Sequence, residues 1–265
     1  MKLKDLIRGR LIAIHKSIFK NHYYNLLKLL EPNCFKFTKK GLGRKGDGTY
    51  ILPKELLENT KDTVLLSFGI CNDISFEKAF QQECSCKIYA FDPTIERLPE
   101  DNQSIQFFRL GLAGKLHKEK SLLTLPEIID KLGLNRKSRI ILKIDIEGWE
   151  WGFFQTMDFS KFDIQIIALE LHFLPLLGKQ ETLFLPILFY KKYRILKKVL
   201  NSFYVFHVHA NNYQYINFRN FDFPTYLELT LINKKVFLED IQKDVRELNS
   251  PTILEKIDIQ FPFIK

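Results

Sequence analysis

Ile141-Leu142-Lys143-Ile144-Asp145-Ile146-Glu147-Gly148-Trp149-Glu150 is the stretch on which the fold turns. Its first four residues are apolar except for Lys143, and they read as a buried strand. The strand then stops abruptly at two carboxylates and a glycine. A strand with no polar alternation is covered on both faces, as in a parallel sheet. Lys143 within it should reach a sheet edge or pair with a carboxylate, since a buried charge needs a partner.

Working outward, the same pattern recurs. Val64 to Phe68, Lys87 to Phe91, Ile105 to Leu110, Ile140 to Ile144 and Ile164 to Leu171 read as strands. Ile74 to Phe80, Leu125 to Leu132 and Trp149 to Met157 read as the helices between them. Strands alternating with helices predict an α/β Rossmann-like fold, a mostly parallel central sheet with helices on both faces. Ligands in such sheets bind at the carboxyl ends of the strands. Beyond residue 175 a helix over Leu183 to Leu200 and strands at Val205 to Val208 and Leu227 to Ile232 are expected. The long aromatic, Asn-rich stretch 210–225 reads as a connection, and Val236 to Leu248 as a helix.

At the other end, residues 3–30 place Leu3, Leu6, Ile7, Leu11, Ile14 and Ile18 at helical spacing with basic residues between. Such a helix packs on the core or lies on a membrane surface. Pro32 ends it. The expected organisation is an N-terminal helical extension, 1–40, and one domain, 41–265, whose C-terminal additions shape an acceptor site. Gly41 to Tyr50 carries four glycines within eight positions and reads as a sharply bent loop.

Composition narrows the function. The chain has 265 residues, 46% hydrophobic and 27% charged, with net charge +9 and pI about 9.2. The charge suits nucleic acid, an anionic membrane surface or an anionic substrate, or is a solvated basic surface. The aromatic stretch 213–226 lacks the interleaved Lys and Arg of a nucleic-acid groove, so no nucleic-acid partner is expected. Cys34, Cys71, Cys84 and Cys86 fit no zinc spacing and read as reduced thiols of a cytoplasmic protein. No segment is long enough to span a bilayer, and the N-terminus makes a poor signal peptide.

The first strand runs into Ser67-Phe68-Gly69-Ile70-Cys71-Asn72-Asp73, and the second ends in Asp92-Pro93. An acidic residue about twenty positions after a glycine turn is a ribose-binding arrangement, although an Asp there also caps helices. A dinucleotide needs three glycines against its pyrophosphate, and this loop has one. Asp73 and Glu77 would repel phosphate. S-adenosylmethionine has a ribose, no phosphate and a positive sulfonium, and carboxylates at Asp47, Asp145 and Glu147 suit that cation. A nicotinamide-dependent oxidoreductase is the disfavoured alternative, and an RNA-binding methyltransferase the other.

In the segment 142–150 the chain resembles the FkbM family of methyltransferases, whose signature is close to L-K-I-D-x-E-G-x-E. Leu65-Leu-Ser-Phe-Gly-Ile, Thr124-Leu-Pro-Glu-Ile-Ile and Gly46-Asp-Gly-Thr-Tyr-Ile-Leu-Pro also look like that family, and the resemblance covers roughly residues 41–232. It implies a class I methyltransferase fold, S-adenosylmethionine as donor, and O-methylation of sugars or natural-product hydroxyls. It places Gly69 and its loop at the methionine part, Asp92 at the ribose, Leu110-Gly111-Leu112 by the adenine and Asp145 by the methyl. The expected cofactor-binding set is Asp47, Gly48, Tyr50, Ser67, Phe68, Gly69, Asn72, Asp73, Asp92, Pro93, Leu110, Gly111, Leu112, Asp145 and Glu147. The family's glycine-rich first loop is reduced here to Gly69, where Asn72 and Asp73 stand in.

Glu170-Leu-His172 and His207-Val-His209 end two later strands, and residues two apart share a face. They suit a general base, a metal site, or hydrogen-bonded support of the sheet end. His172, oriented by Glu170, is the expected base beside Asp145, with His207 and His209 as further catalytic candidates. Neither pair has a third closely spaced ligand, so no metal is assigned and chelators should leave activity unchanged. The expected acceptor is a small anionic sugar, nucleotide-linked or a precursor of capsule or lipopolysaccharide. Membrane contact is expected only peripherally, through residues 3–30.

Overall fold

The computed structural model describes residues 25–33, 35, 37–46, 48–58, 62–115, 119, 121–135, 137–172, 185–211, 215–218 and 221–236, with backbone alone at 185–189, 215–218, 221–223 and 236. Most of helix 3–30, all but the first residue of the expected helix 236–248, and Asp47 lie outside them.

Seven strands form the central sheet, in the order β10 (Phe203–Ala210), β13 (Tyr226–Asn233), β9 (Asp163–His172), β8 (Arg139–Ile144), β3 (Thr63–Phe68), β4 (Lys87–Phe91) and β5 (Ile105–Phe108). From β9 to β5 every neighbouring pair is parallel. β13, wedged between β9 and β10, pairs antiparallel with both and runs opposite to the other strands of the sheet. This is the α/β, mostly parallel class I methyltransferase arrangement expected from the sequence.

Alternate residues of the strands enter two separate clusters. Val64, Leu66, Phe68, Ile140, Leu142 and Ile144 pack on one face; Leu65, Ile88, Ala90, Ile141, Ile166 and Ala168 pack on the other. Period-two alternation thus buries both faces, which is why the strands read as apolar runs broken only by residues such as Ser67 and Lys143. The first face is covered by α1 (residues 25–29), α3 (Leu125–Lys131), α4 (Glu150–Thr156) and α5 (Leu185–Val199). Thr124 opens α3 with a capping box to Glu127 and a proline in the first turn. The second face is covered by α2 (Ser75–Glu83) and by β2 (Tyr50–Pro53), which pairs antiparallel with β1 (Lys39–Leu42).

The start of α1 lies outside the described residues, but Leu26, Leu27 and Leu30 are buried with the sheet. The backbone N–H of Asn33 bonds the Val205 carbonyl at 2.7 Å. Among the described residues no helix is long and apolar enough to cross a membrane.

Three features differ from expectation. The glycine-rich loop is the turn of the β1–β2 pair, with its strands reaching Lys39 and Pro53. The stretch 210–225, expected as connection, contains the antiparallel pair β11 (Tyr215–Phe218) and β12 (Phe221–Pro224). A small parallel pair, β6 (Gly111–Leu112) and β7 (Leu122–Leu123), flanks the sheet end.

Candidate active site

The strand order reverses between β3 and β8: β4 and β5 continue to one side, β9 to the other. Such switch points open a crevice at the carboxyl ends of the strands. Gly69 follows β3 there with φ +81°, and a Cβ on it would lie 1.6 Å from the Asp145 carbonyl oxygen. The Gly69 N–H bonds Phe91 O at 3.0 Å, and the Asp145 N–H bonds Phe68 O at 3.0 Å. Glycine is required because three strand ends meet with no room for a side chain.

A cleft of about 410 Å³ opens over this point, a size ordinary for small-molecule sites. Its apolar wall includes Phe68, Ile70, Phe91, Leu112 and Leu122. Its polar wall is mostly acidic: Asp73, Glu77, Asp92, Asp145, Glu147 and Glu170, with Arg44 and Lys143 as the cations. Of the sequence-expected residues, Gly48, Tyr50, Asn72, Pro93 and Gly111 also line it. Pro93 packs where a Cβ on Gly111 would stand, at 3.0 Å. Ser67 and Leu110 are not in the wall. The Ser67 hydroxyl is fully buried and donates to Glu77, and Leu110 packs against the core.

Asp92 shapes the loop from below. Its Oδ2 accepts the N–H of Ile70 (2.9 Å) and Cys71 (2.8 Å); its Oδ1 accepts the N–H (2.8 Å) and hydroxyl (2.6 Å) of Thr94. These four bonds take all the acceptor positions of a carboxylate. Burial opposes the charge, but the bonds from Thr94, Cys71 and Ile70 outweigh it and hold the pKa below its usual value. A ribose hydroxyl could reach Asp92 only by displacing the Thr94 hydroxyl, the one partner free to rotate.

Lys143 reaches the rim, as a charge inside a strand must. Its ammonium donates to the carbonyl of Gly69 and lies 3.9 Å from Asp145 Oδ2. The buried Tyr50 hydroxyl donates to the same oxygen at 3.2 Å. Burial and then the charges of Asp145, Glu170 and Glu228 raise the Tyr50 pKa, so it stays a phenol. Beneath the loop, burial raises the Glu77 pKa against the pull of Lys143 and the Ser67 bond.

Asp73 Oδ1 accepts the Ser75 N–H at 2.8 Å, and its Oδ2 lies 3.7 Å from Arg44 Nε. Glu147 has a left-handed backbone, φ +53°, uncommon for a side chain of that size, and its carboxylate is 86% exposed.

The three histidines part company. His172 is 6% exposed, and its Nδ1–H donates to Glu150 Oε1 at 3.0 Å. Its Nε2 lies 3.4 Å from Glu147 Oε2 and 3.7 Å from Glu170 Oε2. Burial alone would lower its pKa, but the bond and charge of Glu150, then Glu170 and Asp145, outweigh burial and raise it to about 9. The ring is therefore cationic at neutral pH, unlike the near-neutral base expected from the strand end. His207 and His209 sit on β10, two strands away from β9. His207 Nδ1 is 3.4 Å from Lys39 Nζ, and burial, then Lys39 and His209, push its pKa well down. His209 donates to Glu228 at 3.2 Å. None of the three histidines is in the cleft wall; His172 stands behind Glu147 and Glu170, which are.

Glu150, the last residue of the 142–150 signature, carried no site role in the sequence reading. It is fully buried, and its Oε1 accepts the N–H of Ile146 (3.1 Å) and Gly148 (3.2 Å) as well as His172. The available signal was an acidic residue at the start of an otherwise apolar helix, two positions past a glycine.

This cleft, at the switch point of a sheet with one antiparallel strand, is that of a class I methyltransferase. The chain matches the family profile described as "Methyltransferase domain" over residues 15–223 and belongs to that family. Comparison with curated proteins yields no match. Among solved structures it is similar to a crystal structure of a fibrillarin/Nop5p complex, at 12% identity over 69% of this chain and 80% of that one, with a TM-score of 0.40. A likeness that low decides nothing further. Family membership leaves the nicotinamide-dependent alternative without support.

Proposed function

We propose that the chain is an S-adenosylmethionine-dependent O-methyltransferase of FkbM type, acting on a hydroxyl of an anionic sugar that is nucleotide-activated or a precursor of capsule or lipopolysaccharide. The observation that carries the cofactor reading is the acidic polar wall of the switch-point cleft. Carboxylates at Asp73, Glu77, Asp145, Glu147 and Glu170 attract a sulfonium and an ammonium and repel a pyrophosphate. The apolar wall of Phe68, Phe91, Leu112 and Leu122 suits an adenine.

When bound, S-adenosylmethionine supplies an already activated methyl group. The protein's part is then alignment, which can be worth about 7–11 kcal/mol. Gly69 lets the β3 loop close on the methionine end. Asp92 holds that loop's N–H groups and meets the ribose through the Thr94 position. Asp145, fixed by Lys143 and Tyr50, faces the methyl end. The acceptor's hydroxyl proton leaves toward Glu170, which lines the cleft, while His172 behind it steadies the charge. The carboxamide of Asn211 donates to the other Glu170 oxygen at 2.8 Å and fixes its orientation. The net charge of +9 supports an anionic acceptor. Free thiols at Cys71, Cys84 and Cys86 support a cytoplasmic location.

The test is methyl transfer from label-bearing S-adenosylmethionine to nucleotide-sugars, polysaccharide precursors, neutral sugars and RNA. The expected result is label on a sugar hydroxyl of an anionic acceptor, with a rate that falls several-fold as salt rises. Label on RNA alone, or a rate indifferent to salt and to acceptor phosphates, overturns the acceptor assignment.

A further inference from the structure

We propose that Asp145, Glu147 and His172 form a binding site for one divalent cation of the manganese or magnesium class, at the acceptor end of the cleft. The inference rests on the methyltransferase reading above and adds to it a means of activating the acceptor.

The ligand atoms of these three residues all lie within 4.8 Å of one another. His172 Nε2 and Glu147 Oε2 stand 3.4 Å apart. Adjacent ligands around an ion with bonds of about 2.1–2.3 Å sit roughly 3 Å apart, so little closure is needed. The exposed Glu147 side chain is free to make it. Tyr50 and Lys143 both meet the Asp145 carboxylate at Oδ2. The set joins the ends of β8 and β9, which explains why neither Glu-x-His nor His-x-His revealed it in sequence.

A second, independent feature lies behind the cluster. Glu150 is fully buried, and its Oε1 pins the Nδ1 side of the His172 ring. That leaves Nε2 directed at Glu147 and Glu170, where a divalent ion takes the place of the proton that the ring otherwise carries and releases it to solvent. A carboxylate on one imidazole nitrogen, with the other turned toward acidic ligands, is the outer-shell support of a metal-bound histidine. The other Glu150 oxygen is buried with no hydrogen-bond partner. A buried carboxylate with one oxygen unsatisfied is favoured by further positive charge nearby. Among the described residues the four carboxylates Asp145, Glu147, Glu150 and Glu170 outnumber the nearby cations Lys143, His172 and Lys192, and a divalent ion lessens the excess.

Two carboxylates and one imidazole suit manganese best and admit magnesium. Three protein ligands leave positions open for an acceptor hydroxyl. An ion there lowers the pKa of that hydroxyl, and Glu170 receives the proton.

The test is a titration of the full-length protein with Mn²⁺, followed by loss of the free-ion electron paramagnetic resonance signal, with calorimetry of S-adenosylmethionine run in chelator alongside. One Mn²⁺ per chain is expected, weakened at least tenfold in Glu147→Gln and in His172→Asn. Nitrogen hyperfine coupling to the bound ion should vanish in His172→Asn. Chelation should abolish turnover, and Mn²⁺ or Mg²⁺ should restore it, while S-adenosylmethionine still binds. Glu147→Gln, at an exposed side chain, keeps the test decisive if His172→Asn does not fold. Wild-type protein that takes up no Mn²⁺, uptake equal in the folded variants, or full turnover in chelator overturns the metal site. If S-adenosylmethionine also fails to bind, the cofactor reading falls as well.

Discussion

Gly69→Ala should be the most damaging glycine-to-alanine change among the described residues. The new Cβ would stand 1.6 Å from the Asp145 carbonyl oxygen, which is backbone and cannot swing aside. The residue would also sit at φ +81°, a region that costs an L side chain about 1–2 kcal/mol. Overpacking adds about 1–3 kcal/mol. The sum, about 2–5 kcal/mol, is a large part of the ~5–15 kcal/mol that holds a typical domain together. Denaturant melts should show that loss. Any variant that still folds must part β3 from β8, so S-adenosylmethionine binding should fall at least a hundredfold. A Gly69→Ala protein with wild-type stability and affinity would show that the strand ends do not meet as described.

Glu150→Ala should come close behind. It would leave the N–H groups of Ile146 and Gly148 and the His172 ring without their acceptor. Removing one partner from a buried charged pair costs about 3–5 kcal/mol. Glu150→Gln keeps a carbonyl oxygen for the two N–H groups, so it should recover more than half of that loss. The comparison, made by thermal and denaturant unfolding, separates the local bonds from simple volume. Equal destabilisation by Ala and Gln would contradict the hydrogen-bonding role given to the Glu150 oxygen.

The parallel sheet was legible because its strands are buried on both faces. Val64 to Phe68 and Ile140 to Ile144 are apolar but for Ser67 and Lys143 and alternate between two cores, so no register or partner is needed to recognise them. The ends of β3, β4 and β8 were legible for a related reason. Gly69, Asp92 and Asp145 are abrupt polar or flexible breaks after buried runs, and all three line the cleft. What stayed hidden depends on tertiary neighbours. β11 and β12 sit in an aromatic, Asn-rich stretch with no clear alternation, and among the described residues they pair only with each other. His207 and His209 carry the same strand-end spacing as Glu170 and His172, yet β13 inserts between β9 and β10 and moves them away. The ionisation of His172 depends on Glu150, Glu170 and Asp145, which come from three elements. The saturation of Asp92 by Ile70, Cys71 and Thr94 likewise appears only once the loops are folded.

The central claim is that the acidic switch-point cleft binds S-adenosylmethionine. Calorimetry on wild-type protein with S-adenosylmethionine and with NAD⁺ tests it directly. Saturable one-to-one binding of S-adenosylmethionine is expected, with no heat from NAD⁺. In a folded Asp92→Ala protein the affinity should drop at least tenfold, because both the loop N–H groups and the ribose lose their acceptor. Binding of NAD⁺ in place of S-adenosylmethionine, or no binding of S-adenosylmethionine at all, would contradict the account.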